Sequence, residues 1–191
     1  MEYYELVDEL YVPKKRWFLG SINFDDKWDF WKYVQPGTVN IPDKELFVTV
    51  RSKGISLDFT MADFELLVIN ERVKALLSDK EAQFIPVRFD EQAKVNNDHY
   101  LMVVNKDIDC VDESKSIFTK WAEDDPVRPD KAGKYKSFER LILNNDKIPF
   151  DANIFRLKKF DRLVIVSEKI KLAFETNNIT GVKYKKLTNI S

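Results

Sequence analysis

A chain of 191 residues, 44% apolar and 33% charged, suits one domain or at most two small ones, with a buried core under a well-solvated surface. Its five glycines carry neither G-x-G-x-x-G nor G-x-x-x-x-G-K-[ST], which sets aside the common phosphate loops, and its single cysteine and single histidine allow no internal disulfide and no usual zinc triad. The net charge of −1 hides an asymmetry: residues 1–130 hold 17 Lys and Arg against 26 Asp and Glu (net −9), and residues 131–191 hold 14 against 6 (net +8), so acidic and basic faces that steer partners stand beside the plainer outcome of charges mixed on the surface.

The opening "MEYYELVDEL" is acidic and lacks the apolar stretch of a signal peptide. It reads as a first strand. No apolar run exceeds four or five residues, far short of a membrane span. With its lone cysteine, the chain is expected to be a soluble, cytoplasmic protein. "RWFLGSINF" places Trp17 and Phe18 ahead of a turn at Gly20. "DDKWDFWKYVQPG" holds Trp28, Trp31 and Tyr33 before a Pro36–Gly37 turn. That aromatic cluster suits core packing, the commoner role, or ligand binding. "ELFVTVRS" (45–52) is a strand, and "KGISLDFT" is expected to pair with it through Gly54.

"LLVINERVKALL" (66–77) follows, and it returns near the end as "LVIVSEKIKLAF" (163–174). Leu66 matches Leu163, Glu71 matches Glu168, and Lys74 matches Lys171. Each copy opens with a short branched apolar run, the mark of a buried strand. A residue able to cap a helix comes next, Asn70 or Ser167. Then comes a Glu that complements the helix dipole. Val73, Leu76 and Leu77 in one copy, and Ile170, Ala173 and Phe174 in the other, fall on one helical face. A second strand follows each helix, at Gln83–Val87 and Val182–Leu187, with Phe84 and Tyr184 in similar places. A strand–helix–strand unit used twice argues for a scaffold.

"HYLMVVN" (99–105) is another strand. From 106 to 130 the chain turns acidic, with eight acids among four bases; Ile117, Phe118 and Trp121 give a short helical face and the rest reads as loop. Strands follow near Phe138–Leu143 and Ile154–Leu157, joined through Asn144–Asp146. The expectation is one α+β domain over 1–191, on antiparallel or mixed strands, with repeat units near 64–88 and 160–187.

Little here suggests catalysis. His99 precedes a strand in a polar run and reads as a surface residue. Carboxylates around Cys110 would raise its thiol pKa, the wrong direction for a nucleophile, and it reads as a small buried side chain. Asp107, Asp109, Asp112 and Glu113 invite a calcium reading, but an EF-hand loop begun at Asp107 would place Asp112 where glycine belongs and Phe118 where glutamate belongs. No metal or other cofactor is expected. The basic third, with Lys158, Lys159, Arg162, Lys183, Lys185 and Lys186, raises nucleic-acid binding, and a sequence pI of about 6.0 argues against it.

The order of "RWFLG", "GISLDFT", "LLVINERVKALL", "QFIPV", "YLMVVN" leading to "DCVDESKS", "NIFRL" and "LVIVSEKIKLAFETNNITGVKYKKL" resembles a family of bacterial immunity proteins encoded beside polymorphic toxins and first catalogued as a domain of unknown function. The most specific pieces are "IFRL", "IVSEKIK" and "TGVKY". The resemblance implies an antidote that blocks a cognate toxin by direct binding, with no catalytic residues. A toxin with a basic active-site cleft, such as a nuclease, would meet an acidic surface, and Asp107, Asp109, Asp112, Glu113, Glu123, Asp124 and Asp125 are the candidate contacts. The alternatives are a metal-dependent enzyme using Asp and Glu, and a nucleic-acid-associated module using the basic tail.

Overall fold

The computed structural model describes residues 1–12, 15–22, 31–40, 45–63, 65–89, 95 and 98–187. The first half holds strands β1 (Tyr3–Asp8), β2 (Phe18–Ile22), β3 (Leu46–Ser52), β4 (Phe59–Ala62), β5 (Leu66–Asn70), β6 (Ala82–Phe89) and β7 (His99–Val104). The second holds β8 (Asp107–Ile108), β9 (Ile117–Lys120), β10 (Tyr135–Arg140), β11 (Ile154–Leu157), β12 (Phe160–Ser167) and β13 (Val182–Leu187). The helices are α1 (Trp31–Val34), α2 (Glu71–Lys74) and α3 (Glu168–Thr176).

The α+β expectation fails. Of the described residues 45% lie in strands and 14% in helices, short 3-10 turns at Pro129–Lys131 and Asn145–Lys147 included, and the fold is mostly β. Among the described residues α1 and α2 cover four residues each. The amphipathic run after Asn70 stops as an α-helix at Lys74, and the N–H groups of Leu76 and Leu77 bond three residues back, to Val73 and Lys74. Ile117–Lys120, expected as part of a helical face, is a strand paired with β10. The apolar positions there are too few to fix a period, and β-branched Ile117 and Thr119 favour a pleat.

A six-stranded sheet runs β2-β3-β6-β7-β5-β4. It curls until its edges nearly meet: Trp17 Nε1 donates to Thr60 Oγ1 at 2.9 Å, and Arg16 bridges Ile55 just ahead of β4. Closure of this kind protects edge strands. A five-stranded sheet runs β13-β1-β12-β11-β8, and β9 and β10 form a separate hairpin. The expected pairing of "KGISLDFT" with β3 does not occur; β3 pairs with β2 and β6, and β4 pairs with β5. At Gly54 a Cβ would lie 2.3 Å from the Arg16 carbonyl carbon, so this glycine serves a close backbone approach.

The central strands are buried on both faces, which explains their continuous apolar runs. Leu66 and Val68 face the interior of the curled sheet with Trp17, Leu46, Val87 and Leu101. Leu67 and Ile69 face a core shared with the other sheet, where they join Phe59, Met102, Tyr4, Leu6, Ile154, Val166 and Phe174. The outer face of the five-stranded sheet buries Tyr3, Phe155, Leu157, Ile165 and Cys110.

The twice-written phrase is repeated in three dimensions. β5, α2 and β6 form one unit, with β7 antiparallel to and between its two strands. β12, α3 and β13 form the other, with β1 in the middle place. The registers agree: Ile69 opposes Tyr100 as Val166 opposes Tyr4, and Phe84 opposes Met102 as Tyr184 opposes Leu6. The hairpin partners β4 and β11 match as well, Phe59 opposing Ile69 and Ile154 opposing Val166. Each helix lays one lysine over two rings, Lys74 over Phe84 and Tyr100 and Lys171 over Tyr4 and Tyr184. The caps differ. Asn70 Oδ1 accepts from the N–H of Arg72 and Val73, whereas Ser167 does not cap its helix with its side chain; its hydroxyl donates to Asn153 Oδ1 at 3.1 Å.

Candidate interaction surface

The acidic segment starts at β8, which extends the five-stranded sheet by a short parallel pairing with β11. It then leads into the β9–β10 hairpin. Asp107 and Asp109 are exposed and make no ion pair among the described residues. Asp112 is half-buried; its Oδ1 accepts from Ser114 Oγ at 2.6 Å, and Lys115 lies 3.5 Å from Oδ2. Glu113 Oε1 accepts from Lys120 Nζ at 2.7 Å and from Tyr135 Oη at 2.6 Å, and these bonds hold its carboxyl below the usual glutamate range. The segment is therefore not one uniform negative patch, because half of its charge is answered locally.

The hairpin's long connection carries the other three. Glu123 and Asp124 are exposed, with no ion pair among the described residues. Asp125 is half-buried and works as a turn residue: its Oδ1 accepts from the N–H of Val127 and Arg128 at 2.9 and 2.8 Å. The connection closes where Trp121 N–H donates to Lys134 O and Gly133 N–H donates to Trp121 O. Of the seven predicted contacts, Asp107, Asp109, Glu123 and Asp124 are thus available to a partner, and Asp112, Glu113 and Asp125 hold local structure. Among the described residues no three His, Cys, Asp or Glu side chains converge in a metal-binding group.

The basic tail is also largely answered. On β13, Lys183 pairs with Glu9, Lys185 with Glu5 and Lys186 with Glu2, all from β1 or its flanks. The charge asymmetry along the chain therefore folds into a ladder of opposite charges between adjacent strands. Sequence reading missed this because the two stretches lie at opposite ends of the sequence.

His99 is buried, not at the surface as its polar flank suggested, and packs edge-on against Trp17 and Phe89. Cys110 is buried as expected; burial, then the charge of Asp109, pushes its thiol up to about 12. Arg156 of "IFRL" is 1% exposed, an unusual cation in the interior. Its Nη1 donates to Asp161 O, and burial pulls its pKa down to about 10 against the charges of Asp161 and Glu65. In "TGVKY", Thr180 binds Asp58 through its amide and hydroxyl, and Gly181 presses on the Phe59 carbonyl. Both phrases are structural.

Sequence reading missed a cleft at the root of the hairpin. About 490 Å³ in volume, it lies between α1 and the hairpin and is bordered by Trp31, Trp121 and several cations. The signal was present in separate pieces, the tryptophans and the basic third, which only the fold brings together. Trp28, the other member of the predicted aromatic cluster, lies outside the described residues; Tyr33 is buried and Trp31 is exposed. No described helix is long and apolar enough to cross a membrane.

No curated protein matches this chain. The model of an immunity protein family, Imm11, matches residues 6–189, from within β1 to beyond β13. That span includes both strand–helix–strand units, the acidic segment and the cleft, and the chain belongs to the Imm11 immunity protein family.

Proposed function

We propose that this protein neutralises a cognate toxin by binding it directly, without catalysis of its own. The carrying observation is the family match over nearly the whole chain. The scaffold reading of its shared phrases adds support, since "IFRL" and "TGVKY" supply packing and backbone ties. We take residues 1–191 as one domain, because the central core draws side chains from both sheets. The partner face includes Asp107, Asp109, Glu123 and Asp124, whose carboxylates suit a toxin with a basic active-site cleft, such as a nuclease, met in the cytoplasm. The test co-expresses the protein with the toxin encoded beside its gene and scores survival. Glu123→Lys with Asp124→Lys should slow association and weaken protection, and should leave folding intact because both side chains are exposed. Asp125 stays unchanged in this test because it builds the turn. Full protection with a salt-independent association rate would remove these residues from the interface.

A further inference from the structure

The cleft at the root of the hairpin gathers six cations, of which, among the described residues, two are paired and four are not. Arg128 is paired with Asp130 and Arg162 with Glu65. Lys131, Lys134, Lys136 and Lys159 also line the cleft and form no ion pair among the described residues. This contrasts with β13, where three lysines each have a carboxylate. Two of the cleft lysines are held in place by an aromatic ring: Lys136 Nζ lies 4.7 Å and Lys131 Nζ 5.5 Å from the Trp121 centroid. Trp31, 45% exposed, borders the same space. An apolar wall and convergent unanswered charge are thus built into one concavity.

We propose that this cleft receives an acidic segment of a protein partner, its carboxylates on the lysines and an apolar or aromatic side chain against Trp31 and Trp121. The partner's identity as the cognate toxin rests on the immunity reading above. The volume of about 490 Å³ falls within the range of pockets that enclose a small ligand or a few side chains. Tryptophan is among the residues that dominate binding energy at protein interfaces. Nucleic acid fits less well. A phosphate backbone needs an extended basic track, and the basic strand β13 is neutralised by β1. Asp130 and Asp161 also line the cleft, and Glu123 and Asp124 lie on the same hairpin connection, so a partner there meets both signs of charge. No glycine-rich cradle of free N–H groups is present there either, since Gly133 N–H is already spent on Trp121 O.

The location gives the hairpin a double role. Its connection presents carboxylates at one part and lysines at another, so a toxin docked there meets both signs. Alternating charge of this kind sets register and rejects wrong partners more than it adds affinity.

The test has two arms. In the first, the tryptophan fluorescence of the purified protein is followed as it is titrated with a short glutamate-rich peptide carrying one phenylalanine, and with a single-stranded oligonucleotide of equal net charge. The peptide should change the fluorescence in a salt-sensitive way and bind more tightly than the oligonucleotide. Lys136→Glu with Lys159→Glu, both exposed positions, should weaken peptide binding by about tenfold or more. Lys136→Arg with Lys159→Arg should bind as the parent does, and matching unfolding midpoints guard against a folding defect. Tighter binding of the oligonucleotide would overturn the proposal. In the second arm the same variants meet the cognate toxin. Wild-type affinity in the charge-reversed variant would overturn the cleft assignment while leaving the immunity reading standing. Failure of the parent protein itself to bind or protect would overturn the immunity reading, and the proposed partner with it.

Discussion

Replacing Gly181 with alanine tests how the two sheets are tied together. Gly181 sits at φ +88°, in the left-handed region, and a Cβ built there would lie 2.0 Å from the Phe59 carbonyl oxygen. The backbone strain of a non-glycine residue costs roughly 1–2 kcal/mol. The collision adds to it, because β4 and the approach to β13 must part to admit a methyl group. Two backbone bonds flank Gly181: Phe59 N–H to Thr180 O at 3.1 Å, which crosses to β4, and Glu9 N–H to Gly181 O at 2.9 Å, which holds the end of β1. Weakening both costs roughly 0.5–1.5 kcal/mol each, for a total of roughly 2–5 kcal/mol. For a chain of this size that is a fall in Tm of roughly 4–20 °C. Urea unfolding with an unchanged m value, together with a thermal melt, measures it. Gly37→Ala is the control, since Gly37 has φ +128° and an added methyl would meet nothing within 4 Å, leaving strain without collision. A loss below about 1 kcal/mol at Gly181, or one no larger than at Gly37, would refute the reasoning.

Phe174→Ala should cost roughly 3–5 kcal/mol, as a fully buried aromatic in the shared core, while Leu77→Ala, only half-buried, should cost less; equal urea midpoints for the two would contradict this packing. Asp58 should shape the acid limb of stability. Burial disfavours its charge, but bonds from the Thr180 amide and hydroxyl and from Asn70, with the charge of Arg72, outweigh that and lower its pKa. A lowered folded-state pKa contributes stability that is fully present above the unfolded value of about 3.9 and is lost as pH falls through the folded value. Asp58→Asn should therefore lose stability at pH 7 and show a flatter decline below pH 4; an identical acid limb would rule the network out as its source. Lys74→Met and Lys171→Met should each cost roughly 0.5–1 kcal/mol if the lysine-over-two-rings arrangement is stabilising in both copies, and a cost in only one would break the equivalence.

Local chemistry explains what the sequence revealed and what it hid. The branched runs Leu66–Ile69 and Val164–Val166 announced buried strands, because a strand covered on both faces needs apolar residues without alternation. Asn70 announced a helix start, since its cap is made within three residues. Ser167 showed the same signal but has a different partner, Asn153, which only the fold brings near. The helical content was overread because Leu76 and Leu77 fit a helical face whether or not the helix continues. His99 was misplaced because its polar neighbours in sequence say nothing of Trp17 and Phe89 above it. The acidic segment was legible as charge, but its division into free and engaged carboxylates depends on Lys120 and Tyr135, on the two strands of the hairpin. The cleft was not legible at all, since Trp31 and Lys159 meet only in three dimensions.

The middle strand of the second unit comes from far away in the chain. In the first unit β4, β5, α2, β6 and β7 are contiguous, whereas β12 and β13 must wait for β1, the strand in which Tyr3 opposes Leu187. Closing so long a loop is slow even where it costs little stability, so the first unit is free to form early while the second leaves an unfilled slot in its sheet. That slot is a ready template for a stray strand from another molecule. Tyr3 and Leu187 being neighbours, a short turn could join the end of β13 to the start of β1, with new ends opened between β1 and β2. Such a circular permutant would have both units contiguous, and it should fold faster and aggregate less during refolding without gaining a single new contact.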